Sequence, residues 1–326
     1  MSRFTLTRQL PEDATSAALR DDVVTGMTSE PKWLPPKWFY DTRGSELFEE
    51  ITRLPEYYPT RAERSILDRR AADIAAATGA RTLVELGSGS SEKTRLLINA
   101  LRDHGTLRTY VPVDVSESAL EQAAAALLAD YPGLGVHALI ADFQAGLRLP
   151  VGEAETDGPR LIAFLGGTIG NLLPAERAEF LAAVRAALAP DDALLLGTDL
   201  VKDERVLVAA YDDAAGVTAA FNKNVLAVLR RELGADLDPR DFDHVAVWDR
   251  EREWIEMRLR ARTAFTAKFP ALDLAVDFAE GEELRTEVSA KFREAGVRKE
   301  LAAAGMRLDR WWTDPQNRFA LSLARP

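Results

Sequence analysis

The sequence contains no cysteine. Disulfides, thiolate-held metals and cysteine nucleophiles are therefore excluded. Histidine is nearly as scarce: the chain has three, His104, His137 and His244, and they are far apart in sequence. No histidine-built metal site is expected, and a Ser–His catalytic pair has few candidates. Positive charge is in deficit, with 41 Lys and Arg against 52 Asp and Glu, a net charge of −11. Binding to nucleic acid or to an anionic bilayer surface calls for the opposite sign, so neither is an expected partner. No apolar run approaches the ~20 residues of a membrane-spanning helix. The N-terminal residues lack the apolar core of a signal peptide. These absences lead to the expectation of a cytoplasmic protein that works on small molecules as a monomer.

What the 326 residues do contain is a regular alternation of short apolar segments and amphipathic ones. Strands are predicted at Thr82–Leu86, Thr109–Val113, Val136–Ile140, Leu161–Leu165 and Ala193–Gly197. Helices are predicted at Lys93–Arg102, Ser118–Asp130 and Ala175–Leu188, where apolar residues recur every three to four positions. Near-continuous apolar strands separated by helices make a parallel sheet covered on both faces. The expected fold is α/β, a doubly wound, mostly parallel, Rossmann-like sheet with its ligand at the carboxyl ends of the strands. The terminal strand Phe319–Ala324 is read as returning to that sheet. The flanks differ: residues 1–62 are rich in proline and aromatics. Residues 202–290 open with one long helical stretch, Arg205–Glu232, followed by strands near Ile255–Thr263 and Leu272–Phe278. This gives a main domain of residues 63–201 plus 292–326. A smaller, discontinuous α+β domain is built from residues 1–62 plus 202–291.

Candidate ligand-binding residues stand at the strand ends. The first apolar run enters Glu85-Leu86-Gly87-Ser88-Gly89-Ser90-Ser91-Glu92-Lys93. Two glycines one residue apart allow a tight turn and close approach of a ligand to the backbone. The third glycine of a dinucleotide fingerprint is missing, and Glu92 would repel a pyrophosphate at the following helix start. A nucleoside without phosphates fits better, and S-adenosylmethionine is the common one; NAD is the competing cofactor. Asp114, after the second strand, suits a ribose diol. Asp142 and Phe143, after the third, suit an adenine amino group and ring. Lys93 can reach the carboxylate of a methionine moiety, or stand as a solvated helix lysine. Glycines and an amide, Gly166-Gly167-Thr168-Ile169-Gly170-Asn171, follow the fourth strand.

Several segments are more specific. They are Pro35-Pro36-Lys37-Trp38-Phe39-Tyr40-Asp41, Gly44-Ser45-Glu46-Leu47-Phe48 and Ile51 to Arg61, which contains Tyr57. Further along come Gly197 to Asp203, Ala210-Tyr211-Asp212-Asp213-Ala214, Thr286-Glu287-Val288-Ser289-Ala290-Lys291-Phe292 and Trp311-Trp312-Thr313-Asp314. Together they resemble the SAM-dependent, histidine-specific N-alpha-methyltransferases of ergothioneine biosynthesis over nearly the full length, flanks included. The resemblance implies that the smaller domain holds an amino acid beside the cofactor. It implies Gly87, Lys93, Asp114, Asp142 and Phe143 for S-adenosylmethionine, with no metal. It implies Asn171 and Tyr211 at the carboxylate and amine of the substrate, with Tyr57 in contact, Tyr40 near the reacting amine and Gly166 offering its carbonyl. It implies Glu287 and Ser289 at the imidazole, packed by Met257. The implied reaction is transfer of three methyl groups to the α-amine of L-histidine, giving hercynine, with Tyr40 and Tyr57 as the catalytic pair. Departures are small: Gly167 stands where relatives also carry serine, and residues 150–160 read as a lengthened surface loop. The alternatives are methylation of another small amine or amino acid by the same fold, and an NAD-dependent oxidoreductase.

Overall fold

The computed structural model describes residues 3–11, 13–89, 91–142 and 158–326. The chain divides into two units. The first consists of Met1–Pro11, Arg61–Leu200 and Phe292–Pro326. It is organised by an eight-stranded sheet in the order β1, β4, β3, β2, β5, β6, β13, β12. These strands are β1 Phe4–Arg8, β2 Thr82–Leu86, β3 Thr109–Asp114, β4 Gly135–Ile140, β5 Arg160–Phe164, β6 Ala193–Asp199, β12 Arg307–Thr313 and β13 Phe319–Arg325. β1 to β6 run parallel, and β13 and β12 close the sheet antiparallel. β2 and β5 are buried at every position, as largely apolar strands are when helices cover both faces. Chain order reverses at β2, whose neighbours are β3 and β5, so the Gly87 turn lies at the switch point of the sheet. The connecting helices are α4 Thr94–Asp103, α5 Glu117–Asp130, α6 Pro174–Ala187 and α9 Glu294–Ala303. α3, Pro59–Thr78, belongs to this unit from Arg61 onward. Local chemistry sets the boundaries. Ser116 caps α5 by accepting the Ala119 N–H at 3.3 Å, and Pro174 stands in the first turn of α6. Buried Asp314 accepts the backbone N–H groups of Gln316, Arg318 and Phe319, which turns β12 into β13.

The second unit comprises Glu12–Thr60 and Val201–Lys291. It holds a three-stranded antiparallel sheet in the order β11, β8, β7 and a separate β9–β10 hairpin. The ranges are β7 Phe242–Asp249, β8 Trp254–Ala261, β9 Phe265–Phe269, β10 Leu274–Phe278 and β11 Glu283–Ala290. Its helices are α1 Ala14–Met27, α2 Thr42–Arg53, α7 Glu204–Tyr211 and α8 Val217–Leu233. The proline-rich motif has a clear local role. Pro36 opens a 3₁₀ turn, Pro36–Phe39, and Asp41 then caps α2 by accepting the Gly44 N–H at 2.8 Å. From α8, Asn224 and Arg231 donate to the same carboxylate at 2.8 and 2.7 Å, joining motif and helix. These hydrogen bonds lower the Asp41 pKa against the opposing pull of partial burial.

Two sequence expectations require correction. Residues 1–62 do not all belong to the smaller unit, because β1 pairs in parallel with β4 at the edge of the large sheet. A short strand far from its partner in sequence leaves no periodicity that announces the pairing. Arg205–Glu232 is not one helix but α7 and α8. Between them Gly216 takes φ +75°, and Asp213 accepts the N–H groups of Val217 and Thr218 at 3.1 and 2.7 Å. That carboxylate satisfies the first orphan donors of a new helix, so the break is a cap.

Candidate active site

In the first unit the β2 carboxyl end delivers Gly87 at φ +67° and Gly89 at φ +49°. The N–H groups of Gly87 and Ser88 donate to the Val113 carbonyl at 2.8 and 3.2 Å, which seats the turn on β3. Asp114, ending β3, accepts from Gly89 N at 3.1 Å and from Ser116 N at 3.0 Å. Each carboxylate oxygen retains a lone pair for a diol. A Cβ added at Gly89 would meet nothing within 4 Å, so the space over the turn is open. Ser88 Oγ is buried and has no hydrogen-bond partner among the described residues. An open turn and a carboxylate fit a neutral nucleoside. Asp142 follows β4 by two residues and is half-buried. Phe143 lies outside the described residues.

Two acidic residues of this unit carry structure that sequence reasoning did not assign. Glu63 on α3 has 0 % exposure, receives the Lys93 ammonium, and accepts the Gly166 N–H at 2.8 Å. It thereby ties the lysine expected at the cofactor to the turn after β5. A side chain on Gly197 would strike Glu63, which explains the glycine in β6. The signal available in sequence was an acidic residue among the apolar positions of an Ala-rich helix. Glu85, inside β2, accepts from Tyr110 Oη at 2.5 Å and from the Thr94 hydroxyl. Burial dominates these hydrogen bonds and pushes its pKa up to about 7. Gly166, at φ +81°, and Asn171, closing a 3₁₀ turn Thr168–Asn171, also belong to this unit.

The second unit brings together the other candidates. In β11 Glu287 is opposite Met257 and Ser289 opposite Ile255, past a register shift between Arg285 and Glu287. Glu287 and Ser289, two apart, share one face, and cross-strand partners share it too. Buried Met257 is therefore beside Glu287. Tyr211, from the last turn of α7, sets its hydroxyl 2.7 Å from Ser289 Oγ. His244 fixes that turn: it is hydrogen-bonded to the Tyr211 carbonyl through Nε2 and to Asn222 Nδ2 through Nδ1, each at 2.8 Å. Asn222 Nδ2 can only donate, so Nδ1 accepts and Nε2 carries the proton. Burial lowers the His244 pKa, keeping the ring neutral.

Tyr40 and Tyr57 flank Phe48, with ring centroids 5.5 and 6.0 Å from it, and Tyr40 also meets Phe221 at 5.4 Å. Tyr40 keeps 50 % of its surface open. Desolvation of its phenol, then the charges of Glu287 and Tyr211, raises its pKa well above the ordinary value. At neutral pH Tyr40 is a phenol, whose lone pairs accept hydrogen bonds, and not a phenolate base. Lys291 was not singled out from sequence. It follows Ser289 by two, one residue past the end of β11, and that spacing is the signal that could have found it. Its ammonium, on a residue with 4 % exposure, donates to Ser289 Oγ at 2.7 Å and to Tyr211 Oη at 2.9 Å. Among the described residues no group of His, Cys, Asp and Glu is placed to hold a metal ion, and no helix is long and apolar enough to cross a membrane.

Comparison with known proteins places these two sets of residues in context. A family model described as histidine-specific methyltransferase, SAM-dependent, matches residues 19–326. The histidine N-alpha-methyltransferase of Mycolicibacterium smegmatis is 58 % identical over 98 % of this chain and 99 % of its own. The protein of the same name from Mycobacterium tuberculosis is 56 % identical over 99 % of each. Ergothioneine biosynthesis protein 1 of Neurospora crassa is 34 % identical over 60 % of this chain and 22 % of its own. The chain belongs to the SAM-dependent, histidine-specific methyltransferases.

Proposed function

We propose that the protein transfers three methyl groups in succession from S-adenosylmethionine to the α-amino nitrogen of L-histidine. The product is hercynine, and the step opens ergothioneine biosynthesis. The observation that carries this reading is the β11 face on which Glu287, Ser289, Met257 and Tyr211 come together. An imidazole needs partners for two ring nitrogens, and a carboxylate and a hydroxyl two residues apart supply them. On this reading the first unit is the cofactor domain and the second the substrate domain. Gly87, Lys93, Asp114, Asp142 and Phe143 would hold S-adenosylmethionine, which supplies a methyl group already activated on a positively charged sulfur.

The protein's own residues then orient and select. Glu287 would accept the ring N–H, Asn171 and Tyr211 would meet the carboxylate and amine, and the Gly166 carbonyl would accept from the amine. Alignment of this kind can supply roughly 7–11 kcal/mol of a barrier. The nucleophile is the neutral amine, so the first two transfers each release a proton. In the first two transfers, while the amine still carries an N–H, Tyr40 as a phenol at neutral pH accepts a hydrogen bond from it and directs its lone pair. Tyr57, across Phe48, is the second hydroxyl on the outward proton route. The test is incubation with S-adenosylmethionine and the twenty common amino acids, read by mass. Gains of one, two and three methyl groups on histidine alone are expected; methylation of a different amino acid in preference to histidine overturns the proposal.

A further inference from the structure

Glu63 and Lys93 form an ion pair in the first unit, and its two partners are unequally buried. The Glu63 side chain is wholly enclosed, whereas 24 % of the Lys93 side chain is open to solvent. Three elements fix Glu63. Its backbone belongs to α3, its Oε1 accepts the Gly166 N–H at 2.8 Å, and β6 supplies Gly197, where a Cβ would strike that same oxygen. Its Oε2 receives the Lys93 ammonium. Glu85 is engaged elsewhere, accepting from the Thr94 hydroxyl and from Tyr110. Among the described residues Glu63 is the one acceptor for the Lys93 ammonium, which leaves two of its three N–H donors for ligand or water.

Lysine would not keep this position unaided. Its long stem loses much rotamer freedom when ordered. It also directly precedes α4, where the positive end of the helix dipole disfavours a cation. An enclosed carboxylate reverses the balance, because a buried charge without its partner is strongly destabilising. The result is an ammonium held beside the turn after β5: a Cβ on Gly166 would lie 3.8 Å from Lys93 Nζ.

We propose that Glu63 is a positioning residue whose charge holds Lys93 in place to receive the α-carboxylate of S-adenosylmethionine, so that the site selects cofactors carrying that carboxylate. The inference rests on the cofactor reading of the first unit. One effect has the opposite sign: Glu63 is itself an anion and repels a second carboxylate. A ligand carboxylate would touch the ammonium and meet the field of Glu63 only from beyond it. Attraction at contact exceeds repulsion at the longer distance, so positioning dominates.

The experiment is calorimetric binding of S-adenosylmethionine and of its decarboxylated analogue to wild type, Glu63→Gln and the double variant Glu63→Gln/Lys93→Met. Glutamine keeps the shape of Glu63 and removes its charge. Wild type is expected to prefer S-adenosylmethionine by about tenfold or more, as a charge-assisted contact does. Glu63→Gln should lose about tenfold in affinity for S-adenosylmethionine and less than about threefold for the analogue, so that the preference collapses. The double variant should bind S-adenosylmethionine as Glu63→Gln does, because a lysine that is no longer held has nothing further to lose. If Glu63→Gln does not fold, the double variant, which buries no unpaired charge, carries the comparison with wild type, and an undiminished preference in it overturns the proposal. Equal losses for both ligands in Glu63→Gln would make Glu63 a purely structural residue. Tighter binding of S-adenosylmethionine would make it a competitor of the ligand. A further large loss in the double variant would show that Lys93 works without it. Each of these three results overturns the proposal and leaves the cofactor reading standing. A wild type that binds neither ligand overturns both.

Discussion

Glu287 shows how much one side chain decides. It is half-buried on β11, opposite Met257, and its charge is felt by Tyr40. A site built to hydrogen-bond a polar group rejects ligands without that group far better than an apolar pocket rejects a misfit. Glu287→Ala is therefore expected to lower kcat/KM for histidine by about 10²-fold or more, while calorimetry shows cofactor affinity unchanged, because the residues proposed to hold the cofactor lie in the other unit. Histidine kinetics close to wild type in this variant would remove Glu287 from the site. Glu63 and Lys291, both passed over in the sequence reading, share one character. Each is a charged group in an apolar setting whose meaning lies in its partners: Gly166 and Lys93 for Glu63, Ser289 and Tyr211 for Lys291. No local pattern names such partners; only the fold does.

At the scale of elements, the motif between the 3₁₀ turn and α2 is tied by Asp41 and closed by Gly44. A Cβ on Gly44 would run into the Phe39 carbonyl, which is backbone and cannot swing aside. Gly44→Ala is expected to destabilise the protein by about 1–3 kcal/mol, the usual cost of overpacking, seen as a lower midpoint in thermal unfolding; an unchanged midpoint would show that the motif has slack. Elements with strong local periodicity were legible in the sequence. β2, β5 and β6 are largely apolar runs buried at every position, and α4 and α6 carry apolar residues at helical spacing. β7 was not read, because after Phe242 its residues are all partly or fully exposed and its alternation is blurred. The α7–α8 break escaped because Asp213 works as a cap only once the backbone has turned at Gly216. The turn after β2 was legible from its glycines, whereas the proposed substrate face depends on pairing β11 with β8, which period-two spacing supports but does not dictate.

At the scale of the whole molecule, two buried groups give stability opposite pH dependences. The Glu85 pKa is raised from 4.5 to about 7, so the folded state holds its proton more tightly than the unfolded state. Its contribution is complete below about 4.5 and is lost as pH rises through about 7. His244 is lowered from 6.5, so its contribution is complete above that value and is lost as pH falls through its folded value. The thermal midpoint of Glu85→Gln minus that of wild type should therefore increase from about pH 5 to about pH 8; a difference that is flat or decreasing over this range would show that Glu85 is not held neutral. These terms tune the scaffold, whereas the central claim concerns what the scaffold does. The most direct measurement supplies S-adenosylmethionine carrying a ¹³C-methyl group together with L-histidine, and locates the label by NMR. The account predicts label on the α-nitrogen alone, accumulating to three equivalent methyl groups; label on an imidazole nitrogen, or an end point short of three, would contradict it.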